Sequence, residues 1–178
     1  VYGKSGATVT MLSLGFCPDG NAVTGSVDGR LYLWQGRTLS RVIHATPSSA
    51  VLSIYSTPPG YTSNGSQRKR GAGIVSGSAD GRIRVWDSGD NMRPGALFST
   101  ADLGSYRPAV SSLCWDVARD LLLIGTRGAE IYEINSSDGS DQHGGPLVQG
   151  HCEYELWGIS VHPSKAQVCT VGDDKTVR

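Results

Sequence analysis

The sequence predicts an all-β protein: a β-propeller of which this chain holds three complete blades and a truncated fourth. Three observations carry that expectation. Val23-Thr-Gly-Ser-Val-Asp-Gly-Arg-Leu-Tyr-Leu-Trp34 and Val75-Ser-Gly-Ser-Ala-Asp-Gly-Arg-Ile-Arg-Val-Trp86 follow one pattern, and Ile124–Ile134 and Cys169–Arg178 align with them in the same register. With Asp28, Asp80, Gly128 and Asp174 equivalent, the steps are 52, 48 and 46 residues, the kind of period that marks repeat architectures. Finally, 24 of 178 residues are glycine, about twice the usual share, which favours short strands and tight turns.

Each unit opens with a strand-like run: Val9–Phe16, Val51–Tyr55, Val110–Trp115 and Leu156–Val161. Cys17-Pro-Asp-Gly20 and His162-Pro-Ser-Lys165 follow two of these runs as turns, since Pro presets φ and Asp-Gly admits a positive one. The Gly-rich segment supplies a second strand, a turn at Asp-Gly and a third strand ending on Trp34 or Trp86. A weaker apolar segment closes each unit, at Leu39–Ile43, Ala96–Ser99 and Leu147–Val148. Four short strands make one propeller blade, giving blades at about 9–43, 51–99, 110–148 and 156–178. Propellers close with about 4–8 blades, so the chain is expected to be a piece of a longer protein. The absence of an initiator methionine and of a signal peptide fits that expectation.

Sixteen basic and sixteen acidic residues balance to zero net charge, which argues against gripping nucleic acid or an anionic membrane by bulk charge. No apolar run approaches the ~20 residues of a membrane span. Cys17, Cys114, Cys152 and Cys169 form no C-x-x-C pair and read as small buried hydrophobes of a reducing compartment. No residue cluster has the spacing of a metal or cofactor site.

The chain resembles the WD40 repeat proteins: Trp86-Asp87 is the signature dipeptide and Gly150-His151 the accompanying Gly-His. That resemblance implies a hydrogen-bonded chain of histidine, Ser/Thr, aspartate and tryptophan across the strands of a blade. By position the second blade would use His44, Ser76, Asp80 and Trp86; the fourth His151, Thr170 and Asp174; the first Thr24, Asp28 and Trp34. A buried indole N–H and a buried imidazole each need a partner, which explains the residue types. Ser76, His44 and Asp80 are also the types of a catalytic triad. Against that reading, partial sets recur in two other units, and no G-x-S-x-G elbow opens a helix. The third unit departs from the pattern, with Gly128 for the aspartate, Ile134 for the tryptophan and Glu133 where Val85 packs. It is expected to lack the chain and to be held by Leu121, Leu122, Leu123, Ile124 and Ile131. Glu133 marks either a contact or an exposed edge.

Two insertions interrupt the units. Thr57–Gly73 is rich in Gly, Pro and Ser and carries three consecutive cations, Arg68, Lys69 and Arg70, which suit either an acidic partner surface or plain solvation. Ser136–Pro146, with Asp138, Asp141 and His143, reads as a flexible connector.

A narrower resemblance rests on Val1-Tyr-Gly-Lys-Ser-Gly6, Thr10–Phe16, Gly29–Gly36, Leu123–Ile134 and the stretch from Gly150 to Ser164. These segments look like the echinoderm microtubule-associated protein-like (EMAP-like) family, which shows the same oddity in its corresponding blade. The resemblance implies a non-enzymatic, cytoplasmic, cytoskeleton-associated protein whose partner is tubulin or microtubules, with no cofactor, nucleic acid or membrane. The other reading is a general WD40 scaffold that gathers protein partners without microtubule affinity of its own.

Overall fold

Fourteen strands are built from these residues in a computed structural model that describes residues 8–17, 19–57, 73–87, 92–153 and 155–178. β1 (Met11–Phe16), β2 (Ala22–Ser26), β3 (Arg30–Gln35) and β4 (Thr38–His44) form the first antiparallel sheet, in chain order. β5 (Val51–Ser56), β6 (Gly73–Ser78), β7 (Arg82–Asp87) and β8 (Arg93–Ser99) form the second. β9 (Val110–Asp116), β10 (Leu121–Thr126), β11 (Glu130–Asn135) and the two-residue β12 (Val148–Gln149) form the third. β13 (Leu156–Val161) and β14 (Val168–Gly172) pair alone. The expected all-β architecture of three four-stranded blades and a partial fourth is what the protein adopts. The cationic segment Arg68–Arg70 lies outside the described residues.

The sheets stack by their first strands, β1 against β5 and β5 against β9. Two apolar cores result. Val23, Leu31, Val51, Ile74 and Trp86 fill the space between the first and second sheets, and Val75, Ile83, Val110, Leu122, Ile124 and Tyr132 that between the second and third. Strand β6 is buried at all six positions because it sits in the middle sheet with a neighbour on each face. Its alternation sends Ile74 into one core and Val75 into the other.

The stacking contact repeats in detail. Val51 presses onto Gly25 of the preceding sheet, where a Cβ would stand 2.6 Å from Val51 Cγ1. Val110 presses onto Gly77 in the same way, where a Cβ would stand 2.8 Å from Val110 Cβ. Beside each valine a hydroxyl crosses the gap: Ser13 Oγ donates to the Val51 carbonyl (3.0 Å) and Ser53 Oγ to the Val110 carbonyl (3.2 Å). Both valines are fully buried.

The fourth unit is arranged differently. Leu156 holds the register position of Val51 and Val110, yet it is 54% exposed, and Gly125, the socket of the third sheet, meets only serine side chains. Arg107 and Glu153 form an ion pair that ties the two units at the surface. Among the described residues no third apolar core forms between β9–β12 and β13–β14.

The cysteines also differ from expectation. Only Cys17 is buried; burial first, and the nearby Asp19 charge second, push its thiol up to about 11, which leaves it protonated and inert. Cys114 and Cys169 are exposed. All four are free thiols.

Gly77→Ala should lower the free energy of unfolding by about 1–3 kcal/mol, because Val110 and its strand must move to admit a methyl group. Gly125→Ala, which crowds only the rotatable Ser112 hydroxyl, should cost much less. Urea denaturation of the two variants measures the difference, and equal losses would contradict the stacking contact described.

Candidate functional site

The chemistry-bearing residues gather at the turn between the second and third strands of each sheet. In the first sheet Ser26 Oγ donates to Asp28 and to the Arg30 carbonyl (3.0 Å), while the Arg30 amide donates back to Ser26 Oγ (3.1 Å). Ser78, Asp80 and Arg82 repeat this in the second, with Ser78 Oγ donating to Asp80 and to the Arg82 carbonyl (3.0 Å). The arginine side chain closes each turn, at 3.4 Å for Arg30–Asp28 and 3.5 Å for Arg82–Asp80. Gly29 and Gly81 take the left-handed conformation, φ 81° and 86°, that the turn requires. Each turn also anchors the segment leading to the next sheet, because the Gly29 carbonyl accepts from the Ala45 amide and the Gly81 carbonyl from the Thr100 amide.

The tryptophans stand on the third strand of each sheet, β3 and β7. Trp86 Nε1 donates to Ser76 Oγ at 2.9 Å and Trp34 Nε1 to Thr24 Oγ1 at 3.0 Å. The structure thus brings Ser76 together with Trp86, and Thr24 with Trp34. Asp80 and Asp28 belong instead to the serine turns above. His44 does not join the second set: it is exposed at the end of β4, opposite Arg30, while Ser49 Oγ accepts from the Asp80 amide at 3.0 Å. The insertion at 57–73 separates β5 from β6, and the histidine's offset from Asp80 therefore differs from that in the fourth unit.

In the fourth unit the three residues meet. His151 Nδ1 lies 2.8 Å from Asp174 Oδ1 and Nε2 lies 2.9 Å from Thr170 Oγ1. A carboxylate at Nδ1 fixes the tautomer: Nδ1 carries the proton, and Nε2 accepts from the threonine. Thr176 Oγ1 adds a bond to Asp174 at 2.9 Å. Burial works against the Asp174 charge. The bonds from His151 and Thr176 and the attraction of His151 outweigh it, so the carboxyl sits well below the usual carboxylate range. Outside this cluster, the Trp157 indole and the Glu155 amide both donate to Asp173 and lower its pKa.

The third unit corrects its expectation. It does not lack a buried polar set, because Glu130 supplies the missing carboxylate from two positions farther along the chain. The Glu130 carboxylate is buried and accepts from Ser105, from Thr126 Oγ1 at 2.8 Å and from the Tyr106 amide at 3.4 Å. Gly128 makes the room, since a Cβ there would stand 2.9 Å from Glu130 Oε2. Thr126 occupies the register position of Ser26 and Ser78, so the carboxylate reaches the same hydroxyl by a different route. The apolar support also shifts: Leu122 and Ile124 are buried as expected, Leu123 and Ile131 are partly exposed, and Tyr132 and Ile134 fill the core. Burial, then the Glu130 charge, raise the Tyr132 pKa.

The Glu133 carboxylate stands 3.0 Å from His143 Nε2, so the position marks a polar contact. That pair belongs to a built loop and not to the flexible connector expected over 136–146. Ser136 and Ser137 both donate to the Asp120 carboxylate, and the Asn135 amide donates to the Ser140 carbonyl at 2.9 Å. Among the described residues no group of three or more His, Cys, Asp or Glu is placed to hold a metal ion. Ser26, Ser78 and Glu130 are the participants that sequence reasoning passed over. The Ser-x-Asp spacing shared by the first two repeats was the available signal.

Gly128→Asp places a second carboxylate beside buried Glu130 and should destabilise the protein by about 3 kcal/mol. Combining it with Glu130→Arg gives Asp-Ala-Arg, which restores the Asp–Arg pair of the other turns with Ala129 in place of their glycine. The combination should recover most of the loss in a double-mutant cycle. Asp174, with its depressed pKa, contributes stability that is present at neutral pH and is lost as pH falls below about 4 toward its folded-state value. Hydrogen-exchange protection factors in β14, taken against the intrinsic rate at each pH, should fall over that acid range, and Asp174→Asn should flatten the dependence while lowering protection at neutral pH.

The model of the family described as "WD domain, G-beta repeat" matches residues 2–35, 37–87 and 145–178. The stretch between 87 and 145, which carries Gly128 and Ile134, lies outside those matches. Echinoderm microtubule-associated protein-like 2 of Homo sapiens is 29% identical over 169 residues, covering 94% of this chain and 23% of that protein. The 77 kDa echinoderm microtubule-associated protein of Strongylocentrotus purpuratus is 28% identical over 172 residues, covering 94% of this chain and 21% of its own length. The chain therefore spans less than a quarter of these curated relatives. Among solved structures, the computationally designed Ika4 protein aligns with a TM-score of 0.53 at 21% identity, over 98% of this chain and 92% of that one. The designed Ika8 protein aligns at 0.55, with 21% identity, over 97% of this chain and 46% of that one. At this identity the likeness is one of fold. Matched over more than half of its length, and carrying the repeated Asp-Gly turn and its tryptophans, the chain belongs to the WD40 repeat family.

Proposed function

We propose that this chain is a non-enzymatic interaction module that binds microtubules through tubulin and acts in a cytoplasmic, cytoskeleton-associated protein. The observation that carries the reading is similarity along 94% of the chain to proteins named for microtubule association. WD40 propellers are protein-interaction modules, and the sheets here form a rigid frame whose turns and loops present side chains to partners. The hydrogen-bond sets support structural roles. Ser76 takes the Trp86 indole and stands apart from His44, which a nucleophile and its base would not do. His151, Thr170 and Asp174 satisfy one another in the same sense.

A general scaffold without microtubule affinity is the second reading, favoured by the low identity to the named relatives. Arg68, Lys69 and Arg70 are proposed as a contact loop under the first reading, each cation contributing up to ~1 kcal/mol and less in salt.

The protein should co-pellet with polymerised microtubules, and the bound fraction should fall as salt rises. Replacing Arg68, Lys69 and Arg70 by alanine should weaken pelleting without shifting the melting temperature. Absence of pelleting at low salt removes the microtubule reading and leaves the scaffold.

A further inference from the structure

We propose that the groove between the first and second sheets, at their outer strands, binds an acidic peptide segment whose carboxylate is held by Arg84. The groove measures about 410 Å³. Its lining includes Arg41, Ile43 and His44 of β4, Arg84 and Trp86 of β7, and Met92.

Arg84 is the residue that sets this groove apart. It stands four positions after Asp80, where the first and third units carry Tyr32 and Tyr132. Both tyrosines are buried, and Tyr132 packs into the core between the second and third sheets. An arginine on the face of β7 that points toward the first sheet does not fill the same space. Its guanidinium lies 5.7 Å from the Trp86 ring centroid, stacked where a planar cation gains from the indole face. Its Nε is buried and has no hydrogen-bond partner. A buried N–H without an acceptor is costly, and an acceptor that arrives with a ligand removes that cost.

The surroundings select the ligand. Among the described residues no carboxylate lines the groove, while two arginines and a histidine do. A carboxylate matches the planar guanidinium fork better than any neutral acceptor. Ile43, Pro47 and Pro94 add solvent-facing apolar surface along the groove, which a free inorganic anion would leave uncovered and an aliphatic side chain next to an acidic one would cover. The mixture fits a peptide in which acidic and aliphatic residues alternate.

The test is fluorescence polarisation of a labelled octapeptide of alternating glutamate and leucine, titrated with the full chain. Binding should weaken at least about tenfold in Arg84→Tyr, which restores the residue of the neighbouring units, and should weaken as salt rises. Arg84→Lys should fall between the two, keeping charge but losing the stacked fork. Arg84→Gln serves the same purpose if the tyrosine variant fails to fold, as judged by its melting curve. No binding by the native chain, or equal affinity in native and Arg84→Gln protein, overturns the proposal. So does equal affinity for the peptide with glutamine in place of glutamate. Displacement by inorganic phosphate together with indifference to replacing leucine by serine would show a plain anion site and overturn the peptide assignment. Because the assay contains no microtubules, its outcome is separate from the pelleting result.

Discussion

Everything in this chain depends on how closely two sheets approach along their first strands. A propeller blade is a twisted sheet with two faces, so each sheet must bury apolar surface against both neighbours. Here the approach is set by a valine resting where a glycine has no Cβ, once between Val51 and Gly25 and again between Val110 and Gly77. The adjacent Ser13 and Ser53 hydroxyls bond across the gap to the carbonyls of the same valines. Contact and hydrogen bond together fix spacing and register, and the two cores fill in behind them.

Away from the first strands, order is kept by hydrogen-bonded carboxylates at the turns, partly exposed at Asp28 and Asp80 and sheltered at Glu130 and Asp174. Asp28, Asp80, Glu130 and Asp174 each collect donors from a nearby hydroxyl or imidazole. A buried carboxylate is tolerated only when its oxygens are bonded, so the surrounding residues change together. Where the aspartate is absent, Gly128 leaves space and Glu130 reaches in from the next strand. The segment preceding each later sheet contributes as well, with Ser49 at the Asp80 turn, Ser105 at Glu130 and His151 at Asp174. These turns are one design carried out with different residues.

Much of this was legible in the sequence, for definite reasons. The Ser-x-Asp-Gly-Arg turn and the Trp six positions after the aspartate recur in register, so strand order and fold class could be read from spacing. The pairing of Trp86 with Ser76 followed from the need of a buried indole for an acceptor. His44 stands seven residues before Val51, whereas Ser105 and His151 stand five before Val110 and Leu156, so Thr46 and not His44 holds the equivalent position. The long insertion at 57–73 hides this when residues are counted back from Asp80. Glu130 was hidden because a longer side chain starting two residues away does the work of a shorter one, which a column-by-column alignment does not show. The loop at 136–146 looked unstructured from its Ser, Asp and Gly content. Its order comes from Asp120, a residue outside the loop altogether.

The position of Leu156 bears on cooperativity. In stacked repeats, stability is a sum of the intrinsic terms of each unit and the coupling between neighbours, and cooperativity passes along the chain only where coupling is strong. The first three sheets are joined by two such couplings, each with its own apolar core. Among the described residues the fourth is joined to them by covalent connection, the Arg107–Glu153 ion pair and the Gly150 amide bond to the Ala129 carbonyl, with no apolar core between. In this chain the strong couplings join the first three sheets, and β13–β14 are expected to open at a lower free energy than the block beside them.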